Sequence, residues 1–248
     1  MRVLLTNDDG IGSPGLRALQ AALAPQHEVW IVAPDSNRSG SSHSITLGTA
    51  SRFRRTGPRE HTCWGTPADC VVVALMGLVP APVDLVLSGI NLGPNLGTDI
   101  LYSGTAAAAR QAAFMGRPAV ACSLASYSPP YNLEYAARFL DRNLEVFVSL
   151  WAEDHFLNIN FPNQARSPVP EVTFPSRRVY KDTLVRFEAP NGDLYCFLGG
   201  QRPEAVEETG TDYRAVEEGS ISLSPILIHP ANHEIEDRYR KASYRTSG

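Results

Sequence analysis

The sequence has few cysteines, and none of them are paired in a recognisable motif. The 4 cysteines of the 248 residues are scattered, with no C-x-x-C pair and no histidine cluster at zinc-ligand spacing. This argues against a disulfide framework and against a zinc site. We expect small, buried side chains that stay reduced at Cys63, Cys70, Cys122 and Cys196.

The sequence also lacks an excess of basic residues. Its 22 Lys and Arg residues are outnumbered by 26 Asp and Glu residues, which gives a formal net charge of -4. Binding to a nucleic acid polymer or to an anionic membrane needs a clustered basic face, so neither partner is expected. The expected partner is a small molecule or another copy of the chain.

Long hydrophobic runs are absent as well. A membrane-spanning helix needs roughly 20 apolar residues in succession, and the apolar runs of this sequence are shorter. Asn7, Asp8 and Asp9 interrupt the first apolar run, which does not fit a secretion signal. We therefore expect a cytoplasmic protein.

Short β-branched runs alternate with Ala- and Leu-rich stretches over the first two thirds of the chain. The β-branched runs predict strands at 3–6, 28–34, 83–90, 118–124 and 155–161. The other stretches predict helices at 14–24, 67–78, 103–116 and 132–151. Ser13 and Thr66 precede the first two helices as N-caps. This order predicts an α/β fold with a largely parallel sheet covered by helices on both faces.

The character of the chain changes after about residue 165. Three prolines between 168 and 175 interrupt regular structure, and two strand-like runs flank Asn191-Gly192, a strong hairpin signal. We expect residues 1–164 to form the catalytic core and residues 165–248 to form an antiparallel hairpin and arm. Because a hairpin alone buries too little surface to be stable, the arm should pack on the core or on a neighbouring subunit.

The stretch after the first predicted strand, TNDDGIGSPG, supports two interpretations. Gly10, Gly12 and Gly15 have the G-x-G-x-x-G spacing of a dinucleotide-binding turn, which would indicate an NAD(P)-binding oxidoreductase. Asp8 and Asp9, however, would repel the pyrophosphate of such a cofactor. The glycines are also explained as the backbone freedom needed for a sharp turn that presents both carboxylates.

Three polar loops follow predicted strands, with the sequences TNDDG, PDSNRSGSSHS and SGINLGPNLGTD. In an open parallel sheet the carboxyl ends of the strands border one crevice, where ligands bind. The carboxylates of Asp8 and Asp9, together with serine and asparagine oxygens, would form an all-oxygen site suited to Mg²⁺, Mn²⁺ or Ca²⁺. Spacing alone does not select among the serines and asparagines, and each loop taken singly is also typical of an ordinary turn.

A fourth segment, YSGTAAAA, predicts a helix start with free backbone N–H groups. Ser103, Gly104 and Thr105 form its first turn, and such a turn binds anions readily. An ordinary N-cap would have the same sequence pattern. Beside a divalent cation, the segment is interpreted as a phosphate-binding site.

As a group, these blocks resemble the SurE (survival protein E) family of metal-dependent phosphatases. The resemblance rests on six segments in the family's order: MRVLLTNDDGIGSPG, VAPDSNRSGSSHSIT, GTPADCV, LVLSGINLGPNLGTDILYSGT, LNINFP and GTDYRAVEEGSISLSPI. It implies a Rossmann-like three-layer α/β sandwich whose C-terminal hairpin and extended arm are exchanged between subunits of a homodimer or homotetramer. It also implies the activity of a 5′-nucleotidase, which hydrolyses nucleoside 5′-monophosphates to nucleoside and phosphate.

The resemblance also implies the site residues and the cofactor, one divalent cation per subunit. That cation would be Mg²⁺ or Mn²⁺, with Ca²⁺ as a substitute in crystals. Carried over residue by residue, the metal ligands are Asp8, Asp9, Ser39 and Asn91. The residues around the phosphate are Asn95, Ser103, Gly104 and Thr105. The sequence differs from the family pattern in the helix predicted at 103–116, where Gln111-Ala112 replaces the Glu-Gly often found in the family.

The expected reaction is metal-assisted hydrolysis of a phosphomonoester. Asp8 or Asp9 would deprotonate an attacking water, or one of them would itself attack phosphorus and form an aspartyl-phosphate. His43, a side chain that titrates near neutrality, is the candidate for protonating the leaving alkoxide. A non-catalytic nucleotide-binding module is the alternative to an enzyme, alongside the oxidoreductase.

Overall fold

The computed structural model describes residues 1–167, 169–200, 203–206, 208–230 and 233–244. The strands, in chain order, are β1 (Arg2–Thr6), β2 (Glu28–Pro34), β3 (Phe53–Gly57), β4 (Glu60–Cys63), β5 (Leu85–Leu92), β6 (Ala119–Ala125), β7 (His155–Pro162), β8 (Glu171–Val172), β9 (Arg178–Val179), β10 (Asp182–Glu188), β11 (Leu194–Gly200), β12 (Glu204–Ala205) and β13 (Ser222–Leu227). The α-helices are α1 (Pro14–Leu23), α2 (Pro67–Val73), α3 (Gly104–Phe114), α4 (Leu133–Leu150), α5 (Asp212–Glu217) and α6 (His233–Arg240).

A nine-stranded sheet forms the centre of the fold, in the order β3-β4-β2-β1-β5-β6-β7-β13-β8. The five pairings from β4 to β7 are all parallel. The two pairings next to them, β3 with β4 and β13 with β7, are antiparallel. Strand β1 lies between the parallel strands β2 and β5. The loop that follows β1 is therefore flanked by the carboxyl ends of both strands.

Helices cover both faces of the sheet because the strand residues alternate in direction. Val3 and Leu5 pack with α1 and α4 in one apolar core. Leu4, which points to the other face, packs with α2 and α3 in a second core. The predicted α/β fold with a mostly parallel sheet and helices on both faces is confirmed. No helix among the described residues is both long and apolar enough to cross a membrane.

The predicted helix starts agree with the cap geometry. The Ser13 hydroxyl accepts a hydrogen bond from the Leu16 amide at the start of α1. Thr66 and Asp69 form a reciprocal capping box at the start of α2, followed by a π-helical turn at Ala74–Leu78. These caps are local in sequence, which is why the pattern of residues was sufficient to predict them.

The C-terminal part of the chain contributes to the central sheet as well as to the predicted hairpin. Strands β10 and β11 pair antiparallel around Asn191-Gly192, as the sequence predicts. Strand β13 pairs along its whole length with β7. The division of the chain at residue 164 stays a prediction, and β13 lies beyond that boundary in sequence but inside the central sheet in space.

Two of the three glycines after β1 have a geometric requirement. Gly10 has φ +100, a conformation that favours glycine. Gly15 lies at the start of α1 against β5, where a Cβ atom would be 1.9 Å from the Ile90 carbonyl oxygen. Gly12 is different, since a Cβ atom there would have nothing within 4 Å. Gly15 therefore allows the close contact between α1 and β5, and Gly12 has no such role.

We expect Gly15→Ala to destabilise the protein by about 3 kcal/mol, because the added methyl group overlaps the backbone of β5. Gly12→Ala is the matched control and should change the free energy of unfolding by less than about 0.5 kcal/mol. Urea unfolding followed by circular dichroism measures both values. Equal stability of the two variants would contradict the packing role of Gly15.

Candidate active site

The candidate site lies where β1, β2 and β5 end beside the start of α3. Asp8 and Asp9 directly follow β1, and Ser39 lies in the loop after β2. Asn91 lies near the end of β5, whose neighbour in the sheet is β1. The backbone N–H of Arg38 donates to the Asp8 carbonyl at 2.7 Å, which ties the loop after β2 to the loop after β1. The predicted convergence of these loops is thus observed in the fold.

Asn7 fixes the turn that presents the two carboxylates. It is fully buried, and its amide group donates to the Gly10 carbonyl at 2.9 Å and to the Ser13 hydroxyl at 2.7 Å. Its side-chain oxygen accepts from the Gly10 amide at 3.2 Å. One side chain thereby connects the end of β1 to the N-cap of α1. The sequence analysis did not single out Asn7, although Asn at the start of a tight turn is a known signal for such bonds.

Asp8 lies directly against the first turn of α3. Its carboxylate accepts a hydrogen bond of 2.5 Å from the Thr105 hydroxyl, and the residue is only 4% exposed. A Cβ atom on Gly104 would be 2.8 Å from the Asp8 Cβ, so this close approach needs glycine. Ser103 caps the helix by accepting from the Ala106 amide at 3.0 Å. The site thus combines a buried carboxylate with a helix start, whose partial positive charge favours anions.

The two carboxylates are poorly stabilised as an ionised pair. Burial raises the pKa of Asp8, and hydrogen bonds from Thr105 offset only part of that effect. Burial, followed by repulsion from Asp8, raises the pKa of Asp9 to about 6. The Leu92 amide donates to Asp9 at 3.3 Å, a long and therefore weak contact. Two adjacent carboxylates under these conditions favour a nearby cation.

The remaining predicted ligands, Asn91 and Ser39, lie near the ends of the strands that neighbour β1 and carry side-chain oxygen atoms. The Asn91 amide group donates to the Gly93 carbonyl at 2.8 Å, which uses its nitrogen and leaves its side-chain oxygen as an acceptor. Ser39 is exposed, and its backbone N–H is held by the Asn37 side chain at 2.7 Å. The donor set therefore consists of carboxylate, amide and hydroxyl oxygens, as Mg²⁺ and Mn²⁺ prefer. No group of three or more His, Cys, Asp or Glu side chains suited to a metal occurs in the described part of the chain.

Asn95 lies in a buried hydrogen-bond network behind the strand ends. Its side chain donates to the Ser123 hydroxyl at 2.8 Å, and its backbone N–H donates to Asn160 at 2.9 Å. Asn158 and Asn160 both donate to its carbonyl oxygen. The structure thus gives Asn95 a role in anchoring the loop after β5, and its contact with phosphate remains a prediction.

His43 lies along the side of α3, away from Asp8. Its Nε2 atom is 3.0 Å from the Gln111 side-chain oxygen, and its ring stacks on Phe114 with centroids 5.6 Å apart. Gln111 is seven residues after Gly104, or about 10 Å along the helix axis. Burial lowers the pKa of His43, and the Arg110 charge adds to this effect. The structure therefore does not bring His43 together with the carboxylates.

Ser41 is a further candidate site residue, which the sequence pattern did not single out. Its hydroxyl oxygen is buried without a hydrogen-bond partner. It lies 2.9 Å from the position that a Cβ atom of Gly104 would occupy, beside Asp8. An unpartnered hydroxyl at the start of α3 is available to a bound ligand. The run of serines around Ser41 gave no means of selecting it.

These features define a class of protein: an open α/β sheet with paired carboxylates at its carboxyl edge, facing the start of a helix. Comparison with known families gives the particular family. Residues 3–182 match the family model described as Survival protein SurE, and the chain belongs to that family.

Several relatives are similar over nearly the whole chain. The protein named 5′-nucleotidase SurE in Pelotomaculum thermopropionicum is 40% identical, with 97% of this chain and 95% of that protein aligned. The protein of the same name in Desulforudis audaxviator is 41% identical over 97% of each chain. The crystal structure of the SurE protein from Aquifex aeolicus has a TM-score of 0.84 at 34% identity, covering 97% of this chain and 98% of that chain.

Proposed function

We propose that this chain is a 5′-nucleotidase that hydrolyses nucleoside 5′-monophosphates to nucleoside and phosphate with a divalent cation. The observation that carries the proposal is the contact between the buried Asp8 carboxylate and the first turn of α3. This contact supports the proposal because a cation held by Asp8 and its neighbour Asp9 would lie next to a helix start, which favours anions. The name that the aligned relatives carry supports the same reaction. The oxidoreductase and the non-catalytic module find no support in these relatives.

The residues present fit a divalent cation. Asp8, Asp9, Ser39 and Asn91 would hold it, since they supply oxygen donors and the two carboxylates carry the negative charge that it would neutralise. Mg²⁺ and Mn²⁺ are the proposed ions, one per subunit. When bound, such an ion neutralises phosphate oxygens and increases the acidity of water.

The chain's own groups then have separate roles in the proposed reaction. The backbone N–H groups at the start of α3 bind the phosphate oxygens, with the Ser41 hydroxyl as a further donor. The Thr105 hydroxyl orients the Asp8 carboxylate. Asp9, which is more exposed than Asp8, accepts the proton of the attacking water.

The bond from phosphorus to the 5′-oxygen breaks in this reaction. The leaving oxygen takes up a proton from solvent water, and Asp9 later returns to solvent the proton that it accepted from the attacking water. The sequence predicts that His43 supplies the proton to the leaving oxygen. In the structure, however, its Nε2 atom forms a hydrogen bond with Gln111 and does not face the carboxylates. Direct attack by a carboxylate on phosphorus remains the alternative to water. A phospho-enzyme trapped by rapid quench with labelled substrate distinguishes the two routes.

We expect Asp8→Asn to lower phosphate release from adenosine 5′-monophosphate by roughly 100-fold or more, because both ion binding and the contact with α3 depend on this carboxylate. The assay measures inorganic phosphate with Mg²⁺ or Mn²⁺, and EDTA should abolish the signal. Asp193→Asn, at the exposed tip of the hairpin, is the matched control and should leave the rate unchanged. His43→Asn in the same assay tests the predicted acid. We expect its turnover to stay near that of the wild type, because His43 contacts Gln111 about two turns along α3 from Asp8.

Release that persists in EDTA, or in Asp8→Asn, would contradict the proposed site. A wild-type protein that binds the nucleotide without releasing phosphate would contradict the enzymatic function. Unchanged turnover in His43→Asn would remove His43 from the reaction. Thermal unfolding of each variant shows whether a loss of activity comes from a loss of fold.

We also propose that the hairpin of β10 and β11 packs against a second copy of the chain in a homodimer or homotetramer. Every residue of β10 is exposed, and Phe187 and Phe197, 58% exposed each, form an edge-to-face pair. A two-stranded hairpin with exposed aromatic side chains is marginally stable alone. A partner subunit that covers these rings accounts for both features.

We expect the double variant Phe187→Ser with Phe197→Ser to sediment as a smaller species than the wild-type protein in analytical ultracentrifugation. The reason is that the aromatic pair supplies the apolar surface of the proposed interface. Met76→Ser, which removes an apolar side chain that is 77% exposed elsewhere, is the control. A wild-type monomer, or an unchanged oligomer in the double variant, would contradict this interface.

The cysteines are consistent with a cytoplasmic location, which we propose for this protein. All four are free thiols, with Cys63, Cys70 and Cys122 buried and Cys196 exposed on β11. Proteins of oxidising compartments more often use such residues in disulfides. The location expected from the sequence is therefore kept as a proposal.

A further inference from the structure

A cavity of about 500 Å³ lies beside α3, on the side away from the α1 and α4 layer. Its walls include Ile100 before α3, Pro175, and Ile226 and Ile228 at the end of β13. These walls are apolar. Among the described residues that line the cavity, Arg110 on α3 is the one with an ionisable side chain.

Arg110 has no hydrogen bond or ion pair with any residue in the described ranges. Its guanidinium group makes a cation–π contact, with the guanidinium carbon 5.4 Å from the centroid of the Phe156 ring. The side chain is nevertheless partly buried. Arg178, the first residue of β9, has a side chain that is 3% exposed and pairs with Asp99 at 3.1 Å. The guanidinium of Arg178 is thus paired with a carboxylate, whereas that of Arg110 has no carboxylate partner among the described residues.

Arg110 lies in a largely apolar environment. Burial lowers the pKa of Arg110, and no carboxylate of the described residues offsets that effect. The charge of Arg110 in turn helps to lower the pKa of the adjacent His43. A partly buried cation without a partner costs stability, and a bound anion would recover that cost.

We propose that this cavity binds an organic anion with an apolar body, whose carboxylate or phosphate group pairs with Arg110. The apolar body would pack against Ile226 and Ile228, where it removes apolar surface from water. The occupant is a free small molecule, since a cavity of about 500 Å³ has the size that small-molecule sites have. Arg110 is six residues after Gly104, about 9 Å along the helix axis, so the charged group of this cavity lies nearly two turns from the start of α3.

Octanoate is a suitable probe because it combines a carboxylate with an apolar chain, and 1-octanol is its neutral counterpart. Calorimetric titration of the full chain should show saturable binding of octanoate, weakened at least about tenfold in Arg110→Met. Arg110→Lys should retain most of the affinity.

Two variants serve as controls. Asp8→Asn should bind octanoate as the wild type does, so the result does not depend on whether the proposed active site is correct. Arg138→Met, which removes an exposed arginine of α4, is the control for net charge.

Ile226→Trp gives an independent test, since it fills the cavity and keeps the charge of Arg110; it should also abolish octanoate binding. The proposal is overturned if octanoate does not bind, if it binds Arg110→Met as tightly as wild type, or if 1-octanol binds equally well.

Discussion

The placement of two carboxylates at the buried end of β1 is the constraint on which the site depends. Asp8 is held against the first turn of α3 by Thr105, and Asp9 is destabilised by burial and by Asp8 itself. A surface turn would present two aspartates at little cost. Here burial disfavours the ionised forms of both carboxylates, which lowers the stability of the folded protein. Such unfavourable groups are typical of a functional site.

Several local features follow from that placement. Asn7 closes the turn after β1, and Gly10 supplies the positive φ that the turn needs. Gly104 allows α3 to approach Asp8, and Gly15 allows α1 to approach β5. Each of these residues lets a backbone segment come close to another without steric overlap. The rigid sheet edge can thereby hold both carboxylates beside the start of α3, where we propose that phosphate binds.

The features that could be predicted from sequence are those coded by neighbours in the chain. Strand and helix periods, the caps at Ser13 and Thr66, and the turn at Asn191-Gly192 are local, and the structure agrees with each. The position of β13 beside β7 depends on pairing between distant segments, which residue patterns do not encode. The same holds for the orphaned hydroxyl of Ser41 and for the unpaired Arg110, because only tertiary packing determines their burial.

The most direct test of the carboxylate site is the free energy of unfolding of the wild type and of Asp9→Asn at pH 7.5, in EDTA and in Mn²⁺. Because the folded protein disfavours the ionised Asp9, the variant should be more stable in EDTA, by an amount of order 1 kcal/mol. Mn²⁺ should stabilise the wild type much more than the variant. A less stable variant in EDTA, or equal stabilisation of both proteins by Mn²⁺, would contradict this account.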